Sequence, residues 1–101
     1  MDYLARHGVS FSNAYCANPL SIPSRSSMFT GRYSHEVGIQ FNDNNKKIDP
    51  AEFPSIGTIF TKAGYETGYV GKWPLPYDAK KPETHGFLYM KNIKNNGGYY
   101  E

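Results

Sequence analysis

Ser21 and Arg25 stand one helical turn apart in the stretch Ser21-Ile22-Pro23-Ser24-Arg25, so a helix would carry both on one face. With Ser21 at the amino end, where unpaired N–H groups and the helix dipole favour negative charge, a hydroxyl beside a guanidinium makes an oxyanion site. The same two residues also describe a capped surface helix with a solvated arginine, and their spacing alone leaves both readings open. Lys72 beside Trp73, on its own, reads as a snorkelling lysine at a strand end.

The longer run around this pair narrows the choice. Ser21-x-Pro23-Ser24-Arg25, followed by Met28-x-Thr30-Gly31-Arg32, resembles the signature of the type I, formylglycine-dependent sulfatases of the alkaline-phosphatase superfamily, in its serine form. The resemblance extends through residues 9–18, similar to the strand and loop before that signature. It continues in Gly64-Tyr65-Glu66-Thr67 and Gly71-Lys72-Trp73, similar to the later Gly-Lys-Trp-His block, and covers roughly residues 1–76.

The resemblance implies a set of roles. Ser21 is the catalytic nucleophile, oxidised after translation to formylglycine by a serine-type, radical maturase that reads Pro23 and Arg25, and it also belongs to a calcium site. Arg25 holds the formylglycine and its metal environment, Ser24 orients the turn, and Lys72 binds the sulfate of the substrate. An unmodified serine attacking sulfur would be left as a stable sulfate ester. The hydrated aldehyde avoids this, since one hydroxyl attacks and loss of the proton from the other expels sulfate by carbon–oxygen cleavage. The implied substrate is a sulfate ester of a small molecule or glycan, and family habit places the parent protein in the periplasm or outside the cell. A phosphonate or phosphate monoester hydrolase of the same superfamily shares the signature, and a non-catalytic truncated remnant would retain it.

Two departures stand against a complete enzyme. Pro74 occupies the place of the block's histidine, and proline cannot transfer a proton. The family's calcium acids lie before and well after the region present here, and Asp43, Asp49 and Asp78 sit among turn residues as loop acids. His35 and His85 read as solvated loop histidines without a catalytic role. Cys16 reads as a packed small hydrophobe, not a nucleophile. The expectation is therefore that residues 1–101 are a fragment, from the N-terminal region, of the catalytic domain.

The elements that must position these groups are short, because ten Gly and seven Pro interrupt a chain of 101 residues. Residues 1–8 read as the end of an amphipathic helix with Leu4 and Ala5 inward and Gly8 as a left-handed cap. Residues 9–15 alternate as a strand, with Val9 and Phe11 on one side. Ser21–Thr30 reads as a helix capped by Ser21 or Ile22, with Pro23 in its first turn, Gly31 at its end, and Met28 and Phe29 toward the core. Residues 33–54, with Asn42-Asp43-Asn44-Asn45, read as a polar surface loop. A helix over 55–63, buried through Ile56, Ile59, Phe60 and Ala63 and capped by Gly64, leads into a short buried strand over 67–71, with a further strand near 87–90. The fold class is α/β, a partial parallel-sheet domain of alkaline-phosphatase type, incomplete in this chain.

Composition narrows the partners. Hydrophobic residues at 39% supply a modest core, and a net charge of +2 from 11 basic and 9 acidic residues without a basic block gives no nucleic-acid footprint. The pairs Lys46-Lys47 and Lys80-Lys81 read as solvated. No apolar run reaches the length of a membrane span. A single cysteine forbids an intrachain disulfide, and no Cys/His spacing matches a zinc site.

Overall fold

A computed structural model describes residues 1–43, 45–73 and 75–93 of the chain. The elements in order are α1 Asp2–His7, α2 Ser21–Thr30, α3 Ile56–Lys62, β1 Gly68–Gly71, α4 Pro82–His85 and β2 Tyr89–Asn92. β1 and β2 pair in parallel, in register from Gly68 opposite Tyr89 to Gly71 opposite Asn92. Parallel neighbours need a long connection. Residues 72–88 provide it, with α4 inside.

α2 forms much as its sequence requires. Its helical bonds begin with the Ser24 N–H to the Leu20 carbonyl at 2.9 Å, so Leu20 is the N-cap, ahead of both expected caps, Ser21 and Ile22. Pro23, in the first turn, has no N–H to leave unpaired. Gly31 ends the helix at φ 67°, a left-handed conformation suited to glycine, with its N–H on the Ser27 carbonyl. Ile22 and Ser26 are buried and Phe29 is half-buried, so the inward face runs along i, i+4 and i+7. Met28, expected inward, is 65% exposed because it falls on the neighbouring face shared with Ser21 and Arg25.

The core gathers Ile22, Val37, Ile39, Ile48, Trp73, Leu75, Tyr77 and Phe87. Phe29 meets the rings of Tyr69 and Trp73 edge-on at 5.7 Å each, which fastens α2 to the end of β1. Three of the core residues come from the segment expected to be a surface loop. Residues 33–54 turn sharply, with the Ile39 N–H on the Ser34 carbonyl at 2.8 Å, and fold Val37, Ile39 and Ile48 inward while their polar neighbours stay out.

α3 also departs from its pattern. Ser55 caps it, accepting the Thr58 N–H at 3.2 Å, but Ile56, Ile59, Phe60 and Ala63 are exposed and Gly57 is its one buried residue. A Cβ on Gly57 would stand 2.8 Å from the His85 carbonyl oxygen and from the Phe87 ring. The helix therefore lies on α4 and its exit through a glycine contact, with its apolar stripe facing away. Gly64 still supplies the left-handed turn after the helix, at φ 89°.

The first segment differs most from its pattern. α1 forms, but none of its residues is buried, and Gly8 at φ −130° is extended, not a left-handed cap. Residues 9–15 form no strand: Val9, Phe11 and Tyr15 are 79%, 80% and 93% exposed. A strand needs a neighbour to take its N–H and C=O groups, and among the described residues the sheet consists of β1 and β2 alone.

Candidate active site

Ser21 is the first residue of α2 and Arg25 lies one turn on. Both are half-buried, and with Pro19, Leu20 and Ser24 they line one open, shallow depression. The donors at this helix end are nearly all committed. The Leu20 N–H meets the Asn18 carbonyl at 2.9 Å, the Ile22 N–H meets Asn42 Oδ1 at 3.0 Å, and Pro23 has none. That leaves the backbone N–H of Ser21 without a partner among the described residues, at the positive end of the helix. An anion in the depression would have Ser21 and Arg25 beside it.

Asn42 was read as a turn former, and its capping of α2 from another segment was not foreseen. It holds the loop of residues 40–43 against the amino end of α2. Asn18 adds to the same join, donating from Nδ2 to the Gln40 carbonyl at 3.1 Å and to Ser34 Oγ at 3.4 Å. Ser24 Oγ accepts from Cys16 Sγ at 3.3 Å, and Cys16 is exposed, not packed as expected. A thiol in contact with a hydroxyl and a carbonyl at the rim has no apolar shell to enter.

Among the described residues, the basic groups around the site make no ion pair. The ion pair found among the described residues joins Arg32 to Glu36 at 3.9 Å, and no carboxylate approaches Arg25. Lys72 directly follows β1, half-buried, at the carboxyl end of the parallel strands; its carbonyl accepts the Tyr69 hydroxyl at 2.6 Å. Lys72 is not among the residues lining the Ser21 depression. It is linked to α2 through its neighbour Trp73, whose ring meets Phe29. Pro74, the position of the missing histidine, lies outside the described residues.

Neither His35 nor His85 lines the depression. His35 is exposed and stacks on Tyr33 at 5.7 Å. His85, expected in solvent, is 1% exposed, set between the rings of Trp73 and Phe87 at 5.7 and 6.1 Å. Its Nδ1 accepts the Phe87 N–H at 3.0 Å, which requires the neutral ring. Desolvation lowers its pKa, with Glu83, the Ala79 backbone and Asp78 pulling the other way. It is a core histidine.

The described residues hold no group of three or more His, Cys, Asp or Glu side chains that could bind a metal ion. Calcium asks for six to eight oxygen ligands. Ser21 has no such carboxylates among the residues lining its depression, so the described residues do not fit a calcium cage. No helix among them is long and apolar enough to cross a membrane.

The family model for sulfatases matches residues 1–100. An N-acetylglucosamine-6-O-sulfatase of Bacteroides thetaiotaomicron is 41% identical over all of this chain and 17% of its own length. An ulvan-active sulfatase of Formosa agariphila is 34% identical over 98% of this chain and 20% of its own. The crystal structure of Ps i-CgsB superposes with a TM-score of 0.72 at 38% identity, over 87% of this chain and 21% of that one. The chain thus spans about a fifth of the length of the relatives it matches.

Proposed function

The chain belongs to the sulfatase family, and on that premise we propose that it carries the nucleophile segment of a sulfuric ester hydrolase acting on sulfated saccharides, with Ser21 matured to formylglycine. The observation that carries this reading is the placement of Ser21 at the first residue of α2, one turn from Arg25, which no carboxylate among the described residues approaches. The sugar sulfatases among its relatives support the substrate class.

Each residue then has a task. The helix end and Arg25 hold the negative sulfate against the side chain at position 21, by charge and by N–H donation. Asn42 keeps the first turn rigid, so that position 21 keeps its aim. Lys72 adds positive charge from the end of β1. The oxidised and hydrated side chain supplies two hydroxyls, one to attack sulfur and release the sugar alcohol, the other to lose its proton as sulfate departs.

Two measurements on the full-length parent test this. Expressed with a serine-type maturase, the Ser21 peptide should lose about two hydrogens in mass spectrometry, as alcohol becomes aldehyde. An unmodified peptide under verified maturase activity overturns the reading. Arg25→Gln should lower turnover of an aryl sulfate by about a hundredfold, as removal of one preorganised oxyanion donor does.

A further inference from the structure

The peptide bond is planar, so a plane whose carbonyl or N–H is held resists turning, and two held planes fix φ and ψ of the Cα between them. Lys72 stands at such a Cα. On one side, the Gly71 carbonyl accepts the Ile93 N–H at 2.9 Å, just past the Gly71–Asn92 pair that ends the β1–β2 register. On the other side, the plane joining Lys72 to Trp73 lies beyond the register, and two side chains hold it. The Tyr69 hydroxyl donates to its carbonyl at 2.6 Å, and its N–H donates to Asn92 Oδ1 at 3.1 Å. The direction in which the Lys72 side chain leaves the backbone follows from those three bonds.

Tyr69 and Gly71 are two apart on β1 and share one face of it. Gly71 has φ 146°, which L side chains rarely adopt, and a Cβ there would stand 3.6 Å from the Tyr69 hydroxyl, so the ring lies along this glycine as the chain leaves the strand. Three other rings hold the tyrosine: Trp73 at 4.8 Å, and Phe29 and Phe87 at 5.7 Å each. Trp73 is itself tied down, its indole N–H on the Tyr77 carbonyl at 3.0 Å. Phe29 belongs to α2, the helix that carries Ser21 and Arg25. The Tyr69 hydroxyl thus refers the Lys72 backbone to the helix of the nucleophile. Tyr77 makes the same kind of bond, from its hydroxyl to the Phe53 carbonyl, but at no residue of the candidate site, and so represents a purely structural role.

We propose that Tyr69 is a positioning residue for Lys72, clamping the peptide plane after it so that its ammonium group reaches the sulfate. This rests on the sulfate-binding role proposed above for Lys72. The four-carbon stem of lysine is flexible, so what the clamp sets is the origin from which the charge reaches. Without the hydroxyl, Asn92 alone holds the plane by its N–H edge, and the plane can rock.

The test uses the full-length parent with matured Ser21, and reads kcat and KM for an aryl sulfate, the inhibition constant of inorganic sulfate, and the thermal midpoint. Tyr69→Phe keeps the ring and loses the hydroxyl. It should lower kcat/KM by about tenfold, the worth of one good hydrogen bond, and weaken inorganic sulfate as an inhibitor. In a Lys72→Ala background the same change should cost nothing further, because the side chain being aimed is gone and coupled residues are not additive. Tyr77→Phe should lower the thermal midpoint, as Tyr69→Phe does, yet leave kcat/KM and sulfate inhibition unchanged. An undiminished kcat/KM in Tyr69→Phe, the same fold-loss with and without Lys72, or an equal loss in Tyr77→Phe overturns the proposal. Lys72→Ala with the kinetics of the parent also overturns it, while the sulfatase reading stands if Ser21→Ala abolishes turnover. If turnover survives Ser21→Ala, the sulfatase reading fails instead. Calorimetric binding of inorganic sulfate to the same variants then decides the positioning role, by whether the losses from Tyr69→Phe and Lys72→Ala are coupled or independent.

Discussion

His85 is held neutral from two sides, by aromatic rings that exclude water and by the Phe87 N–H that needs an acceptor at Nδ1. A proton on Nδ1 would set two N–H groups against each other in a dry pocket. Because the folded pKa lies below the ordinary value of 6.5, the unfolded chain takes up its proton first as pH falls. Stability is therefore complete above that value and declines as pH drops through it toward the folded pKa. Urea midpoints measured across this window should fall with acid, and His85→Gln should flatten the fall. A midpoint as acid-sensitive in the variant as in the parent would place the effect elsewhere. Among the residues near the candidate site, Ser26 Oγ and Ser27 Oγ are buried without partners, and the structure offers no physical account of them.

At the scale of elements, α3 depends on its cap more than on its apolar stripe. Ser55 is fully buried; its hydroxyl donates to the His85 carbonyl and accepts the Thr58 N–H, so one side chain closes the helix start and ties it to α4. Ser55→Ala loses a cap worth about 1 kcal/mol and leaves a buried carbonyl unsatisfied at about 1–3 kcal/mol more. Ile59→Ala, at a position 53% exposed, should stay within about 0.5 kcal/mol of the parent. Urea unfolding of both variants checks the contrast, and an Ile59→Ala cost equal to that of Ser55→Ala would show that the stripe is buried in solution.

For the molecule as a whole, large apolar side chains stand in water at Tyr3, Leu4, Val9, Phe11, Tyr15, Ile59 and Phe60. Exposed apolar side chains in such number carry a solubility cost in an isolated chain. The chain also spans about a fifth of its relatives' length. The expected outcome is that the 101-residue chain, supplied with maturase and calcium, gives no steady turnover of an aryl sulfate. Its described residues assemble no metal-binding cluster, and Arg25 acts in an open depression where water screens its charge. Steady turnover abolished by Ser21→Ala would show that the apparatus is complete.

α2 was legible in the sequence because local rules specify it: a proline where no N–H is needed and a glycine where the backbone turns left-handed. The strands were legible in position only in part: β1, expected buried, leaves Gly68 and Val70 exposed, and β2 begins at Tyr89, two residues beyond the expected start. The family was legible from the run between Ser21 and Arg32. What the sequence could not show is which apolar surface would find a partner. Residues 9–15 alternate like a strand and the α3 stripe repeats like a buried helix face, yet both lie in solvent, because burial depends on a neighbouring element and periodicity carries no record of whether one arrives. Val37, Ile39 and Ile48 gave no periodic signal and still reached the core. Asn42 meets the amino end of α2, and Asn92 meets the Trp73 N–H, only after the chain has folded back on itself, since contacts between residues so far apart in sequence are set by tertiary packing.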